Sequence, residues 1–116
     1  MNIVRAAAAP PYSAPGHDRM QMRRLQGREA GPSDTAWLGL SVIEPGGGTM
    51  STAAAVEKFY VVLDGVVEVE SLGADGPQVA ELGPLDSVRF EPHEARRLTN
   101  RSTRSCTLLL VMPNSP

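Results

Sequence analysis

Between residues 37 and 112 the chain never runs far before a turn-forming residue stops it, and this punctuation limits the folds open to it. Segments rich in β-branched, aromatic and aliphatic residues occupy 37–44 (WLGLSVIE), 58–62 (KFYVV), 66–72 (VVEVESL), 87–90 (SVRF), 96–99 (RRLT) and 107–112 (TLLLVM), with a shorter extended piece at 78–82. Between them stand PGGG at 45–48, LDGV at 63–66, GADGP at 73–77 and Glu91-Pro92. Gly65 is the natural residue for a positive φ at its turn. Segment 66–72 alternates apolar and acidic residues, the period of a sheet with one wet face. No stretch carries a 3.6-residue pattern long enough for a major helix, and Ala53 to Ala55 is too short to make one. The pattern predicts an all-β sandwich or small barrel of seven or more short strands.

The 116 residues suit one domain with a core of modest margin. Residues 1–34 are an irregular N-terminal arm: Pro10, Pro11, Pro15 and Gly16 deny it a regular helix, while Met20, Met22 and Leu25 suit a short strand or a segment laid on a sheet. This arm is expected to contribute an edge strand or dimer contacts. Residues 35–113 form the barrel and 114–116 a tail. A formal charge of −2, with both signs interspersed, gives no field for a phosphate backbone. The basic patch at 19–28 reads as a solvated face or segment, with an anion-binding arm as the functional alternative. No apolar run reaches bilayer length and no N-terminal stretch suits a signal peptide, so no membrane partner and a cytoplasmic location are expected. A single cysteine, Cys106, leaves no intramolecular disulfide and reads as a core strand residue.

Two segments resemble the paired motifs of the cupin family, small barrels of the jelly-roll type. The first runs from Gly46 to Gly65 and ends in FYVVLDG, very like the family's usual ending. The second, GPLDSVRFEPHEARRLTN from Gly83 to Asn100, is similar in its opening and its closing Asn, though two residues longer. The resemblance covers residues 35–113 and implies a cupin-like jelly-roll β-barrel, commonly a homodimer. It also implies which positions would hold a metal. Here those positions carry Thr52, Ala54, Lys58 and Arg96: a weak neutral donor, a side chain that cannot ligate, and two cations that repel a metal ion. No metal and no other cofactor is therefore expected. Glu57, adjacent to Lys58, and His93 and His17 are the nearest alternatives, and they make a thin shell.

Strand alternation carries the reading further. If Lys58 faces the interior, so do Tyr60 and Val62, and the resemblance implies the same of Arg96 and Leu98. Two buried cations need an anion or a carboxylate. The expected function is metal-independent binding of a small anionic metabolite by Lys58, Tyr60 and Arg96, with Thr52 and His93 as further ligand contacts. Pairing of both cations with Glu57 or Glu94 is the competing arrangement. A metal-independent isomerase, epimerase or lyase using Lys58, Tyr60 and Arg96 as catalytic groups is the alternative; a metal-dependent dioxygenase or decarboxylase is a further one. Trp37, Leu38, Leu40, Val42, Phe59 and Val61 exceed what one barrel interior needs, which suits an outer face covered by a second copy.

Overall fold

Nine strands build the chain in a computed structural model that describes residues 1–114; residues 115 and 116 of the expected tail lie outside the described residues. In order they are β1 (Pro11–Tyr12), β2 (His17–Gln26), β3 (Ala36–Thr49), β4 (Lys58–Asp64), β5 (Val67–Ser71), β6 (Gln78–Leu82), β7 (Ser87–Phe90), β8 (Arg96–Thr99) and β9 (Cys106–Pro113). The only helical pieces among the described residues are two 3-10 turns, Ala6–Ala8 and Arg28–Ala30. The sheet path is β6-β5-β8-β3-β9-β4-β7, with β2 on the other edge of β3 and β1 on β2, all antiparallel where they pair. The result is an all-β, nearly closed jelly-roll barrel of the cupin type.

β3 organises this closure. Its first half pairs with β9 from Ala36↔Pro113 to Ile43↔Cys106, and its far end meets β8 at Gly48↔Thr99. One strand therefore joins the β6-β5-β8 part of the sheet to the β9-β4-β7 part. The Pro45-Gly46-Gly47-Gly48 run was expected to end the strand; instead β3 passes through it and bends. Glycine is what permits the bend. A Cβ on Gly48 would lie 2.1 Å from the Leu98 carbonyl oxygen, so only hydrogen fits where β3 meets β8. Gly65, at φ +81°, makes the β4–β5 turn, as its sequence context suggests.

Alternation along the strands sets the core. Ile43 on β3, Val62 on β4, Val67 on β5, Leu98 on β8 and Leu108 on β9 are all buried to within 1% exposure. Each such side chain contributes about 1.5–3 kcal/mol relative to remaining in water. Cys106 joins them, and burial together with the Asp64 charge pushes its thiol up to about 11, leaving it an inert packing residue. Trp37, expected at an interface, is also in the core: the Tyr12 ring meets it edge-on with centroids 5.9 Å apart.

The closing residue of the second motif has a structural task. Asn100 is fully buried, and its Nδ2 donates to the carbonyls of Ile43 (2.9 Å) and Arg104 (2.8 Å). Its Oδ1 accepts from the backbone N–H and hydroxyl of Ser102. One side chain thus ties the β8–β9 connection to β3.

Candidate functional site

A cavity of about 220 Å³ opens at the end of the barrel where β1, β2, β4 and β8 converge. Lys58 and Tyr60 come from one face of β4 and Arg96 from β8, because side chains two apart on a strand point the same way. Tyr12, Ser13, Ala14, His17, Met20, Met22 and Arg24 reach it from the N-terminal arm. Trp37, Ser41, Leu110 and Met112 complete the wall. The lining thus combines cationic and hydroxylic groups with aromatic, thioether and aliphatic ones. Among the described residues no Asp or Glu lines it.

Arg96 is only 2% exposed. Its backbone is held by a two-way bridge with Thr52, N–H to carbonyl in each direction at 3.1 and 2.9 Å. Its guanidinium donates through Nε to the Tyr60 hydroxyl (3.3 Å) and through Nη1 to the Thr52 carbonyl (3.3 Å). Among the described residues no carboxylate lies within ion-pair distance of Arg96 or Lys58. The two carboxylates expected as alternative partners are engaged elsewhere: Glu57 pairs with Arg89, and Glu94 accepts from the Ser71 hydroxyl and the Glu91 backbone N–H. Burial, reinforced by the Arg96 charge, lowers the Lys58 ammonium to about 8.

The arm's part in this site has little signal in the sequence. Arg24 lies under two rings, 3.5 Å from the Tyr12 centroid and 4.4 Å from that of Trp37, a double cation–π contact that fixes the wall. Burial pushes the Tyr12 phenol up, partly opposed by the Arg24 charge. His17 Nδ1 lies 2.8 Å from the Pro15 carbonyl, the arrangement of an Nδ1–H donor. The Met20 and Met22 pattern marked an extended segment, but nothing in it marked a cavity wall.

Of the residues expected to form the site, Lys58, Tyr60 and Arg96 are brought together. Thr52 contributes its main chain to Arg96, while its side chain is exposed and outside the cavity lining. His93 is separate: it is exposed at φ +67°, its N–H donates to the Ala54 carbonyl, and it borders an open groove with Ser71, Arg89 and Glu94.

The four positions that hold metal in the resembling family do not fit a divalent cation here. Thr52 points away, Ala54 has no donor, and Lys58 and Arg96 bring positive charge. Among the described residues no group of three or more His, Cys, Asp or Glu is placed to bind a metal.

Fold and site together define a cupin-fold protein that lacks the usual metal-binding cluster among the described residues. Solved structures agree on the fold. The polyketide cyclase RemF of Streptomyces resistomycificus superposes with a TM-score of 0.84 at 22% identity, over 97% of this chain and 79% of that one. An RmlC-like cupin from Shewanella frigidimarina gives 0.77 at 13% identity, over 99% and 92%. The oxalate decarboxylase of Lactobacillus farciminis gives 0.80 at 18% identity, over 98% of this chain and 33% of that one. No protein-family model matches the sequence. A curated protein of Mycobacterium tuberculosis, Beta-D-galactosidase Rv1717, is 43% identical over 112 residues, 97% of this chain and 93% of that protein. The chain belongs to the family of this mycobacterial protein.

Proposed function

We propose that the barrel cavity binds a small anionic metabolite without a metal, through Arg96 and Lys58 as cationic anchors and Tyr60 as a hydroxyl donor. One observation carries this reading: Arg96 is 2% exposed and has no carboxylate partner among the described residues, in a cavity lined by no Asp or Glu. A buried cation without a counter-charge is costly, and a bound oxyanion removes that cost. Arginine presents a planar fork to a carboxylate and lysine adds a point charge. Because the Tyr60 oxygen accepts from Arg96 Nε, its own proton is free for the ligand. At about 220 Å³ the cavity is smaller than the roughly 300–1,000 Å³ of drug-sized sites, which favours a ligand of hydroxy-acid or single-ring size. A homodimer in the cytoplasm remains part of this reading.

The test is a chemical-shift titration with small mono-, di- and hydroxycarboxylates. Binding is expected to perturb signals around Arg96 and to weaken about thirtyfold in R96Q, the loss of a charged hydrogen-bond pair. An R96Q protein that binds as well as wild type removes Arg96 as anchor.

A second reading is favoured by the 43% identity to a protein named a β-D-galactosidase. Glycoside cleavage ordinarily uses two carboxylates flanking the scissile bond, and this cavity presents none. The reading therefore rests on the sequence likeness and calls on Lys58, Tyr60 or His17 for proton transfer. Hydrolysis of nitrophenyl β-D-galactoside that is lost in K58M would support it; unchanged hydrolysis in K58M would move the chemistry away from this cavity.

A further inference from the structure

Lys58 is the only lysine in a chain with eleven basic residues, the rest being arginines. It stands in the cavity rather than on the outer surface. Its amine has no hydrogen-bond or ion-pair partner among the described residues, whereas each of the nearby arginines is engaged: Arg24 between two rings, Arg89 with Glu57, Arg96 with Tyr60. Arginine would supply charge equally well. What lysine alone adds is an amine able to lose its proton and attack a carbonyl.

We propose that Lys58 forms a reversible imine with the carbonyl of a small 2-oxo acid whose carboxylate is held by Arg96. This rests on the anionic-cavity reading and names its substrate class. The carboxylate of a 2-oxo acid is bonded directly to the carbonyl carbon, so an anion docked on Arg96 brings that carbon toward the neighbouring amine. The free Lys58 Nζ attacks the carbonyl carbon, a C–N bond forms, and the carbonyl oxygen takes a proton from the Tyr60 hydroxyl to give a carbinolamine. The nitrogen returns one of its protons to the Tyr60 phenolate, and its freed lone pair then expels the hydroxyl, which takes the Tyr60 proton a second time and leaves as water; a protonated imine remains beside a Tyr60 phenolate. The net change joins amine and carbonyl with loss of one water; nothing is oxidised or reduced. Arg96 Nε, already donating to the Tyr60 oxygen, stabilises it while its proton is shared. The product imine is an electron sink, which suits isomerisation or lyase chemistry on the bound acid.

The other titratable or charged groups facing the cavity are Tyr12 from β1, His17 and Arg24 from β2, Tyr60 from β4 and Arg96 from β8. No Asp or Glu is among them, so no carboxylate side chain of the described residues holds Lys58 protonated. Burial and Arg96 lower its amine to about 8, which leaves about a tenth of it neutral at pH 7.

The experiment incubates the full chain with pyruvate and cyanoborohydride, followed by intact mass and peptide mapping. Only two amines can be trapped, Lys58 and the N-terminus. One reduced adduct at Lys58 is expected. Its formation should be absent in K58R, at least tenfold slower in R96Q, slowed by competing lactate, and faster at pH 9 than at pH 7. Thermal melts of both variants establish that they fold. Labelling confined to the N-terminus, or labelling of Lys58 by propanal and pyruvate alike in both wild type and R96Q, overturns the proposal. A lactate shift titration on the same samples separates the two levels. If lactate binds through Arg96 and no Lys58 adduct forms, the imine falls and the anion site stands. If lactate does not bind, both fall.

Discussion

At the scale of single residues, Lys58 has the most consequential environment, because no carboxylate among the described residues pairs with its charge. Burial takes its ammonium from an ordinary 10.5 to about 8, with the Arg96 charge adding to the shift. Below about pH 8 the amine is protonated in folded and unfolded chain alike, and the fold carries the full penalty of that charge. Between about 8 and 10.5 the unfolded chain still binds the proton that the folded chain has released, so stability rises with pH across that window. K58M, of similar length and without charge, should melt above wild type at pH 7, and the gap should narrow as pH approaches 10.5. A gap of constant size would mean that Lys58 titrates as a free lysine. That Lys58, Tyr60 and Arg96 share a face was legible in the sequence, since alternation fixes facing once a strand is recognised. The exposed side chain of Thr52 and the displacement of His93 were not. Thr52 lies outside a regular strand and His93 sits in a turn at positive φ, and there alternation says nothing.

At the scale of elements, β3 and the arm explain both what was readable and what was hidden. Strands β6, β7 and β8 match their sequence segments because turn residues bound them on both sides. β3 ran past its glycines because Gly47 and Gly48 are needed for close approach to Arg19 and Leu98, not for ending a strand. The arm's contribution was hidden for a different reason. Its prolines break local pattern, and β2 is fixed by long-range pairing with β3, from Gln26↔Leu38 to His17↔Thr49. Outward on β3, β9 and β4 lie Leu38, Leu40 and Val42, Leu109 and Val111, and Phe59 and Val61, brought side by side by the pairs Leu40↔Leu109, Phe59↔Val111 and Val61↔Leu109. None of the seven is buried, and Phe59 is 38% exposed. This face is where the expected homodimer would form. Sedimentation velocity should give twice the chain mass, and L109E should return it to one; a single-chain mass for wild type at high concentration would remove the dimer.

At the scale of the whole molecule, the barrel has a cupin-like architecture, and its cavity is lined by cations rather than by metal-binding groups. The positions that would surround a cation in the resembling family contribute two cations instead, and Tyr12 and Arg24 of the arm close the space around them against Trp37 of β3. No helix among the described residues is long and apolar enough to cross a membrane. Anion binding by the cavity is tested by calorimetric titration with lactate at pH 8 in two buffers of different ionisation heat, for wild type and R96Q, with lactamide as neutral control. An anion docked beside Arg96 should draw a proton onto Lys58, so wild type is expected to bind lactate with proton uptake, R96Q about thirtyfold more weakly, and neither to bind lactamide. Equal affinity for lactate and lactamide, with no buffer dependence, would contradict an anion-binding cavity.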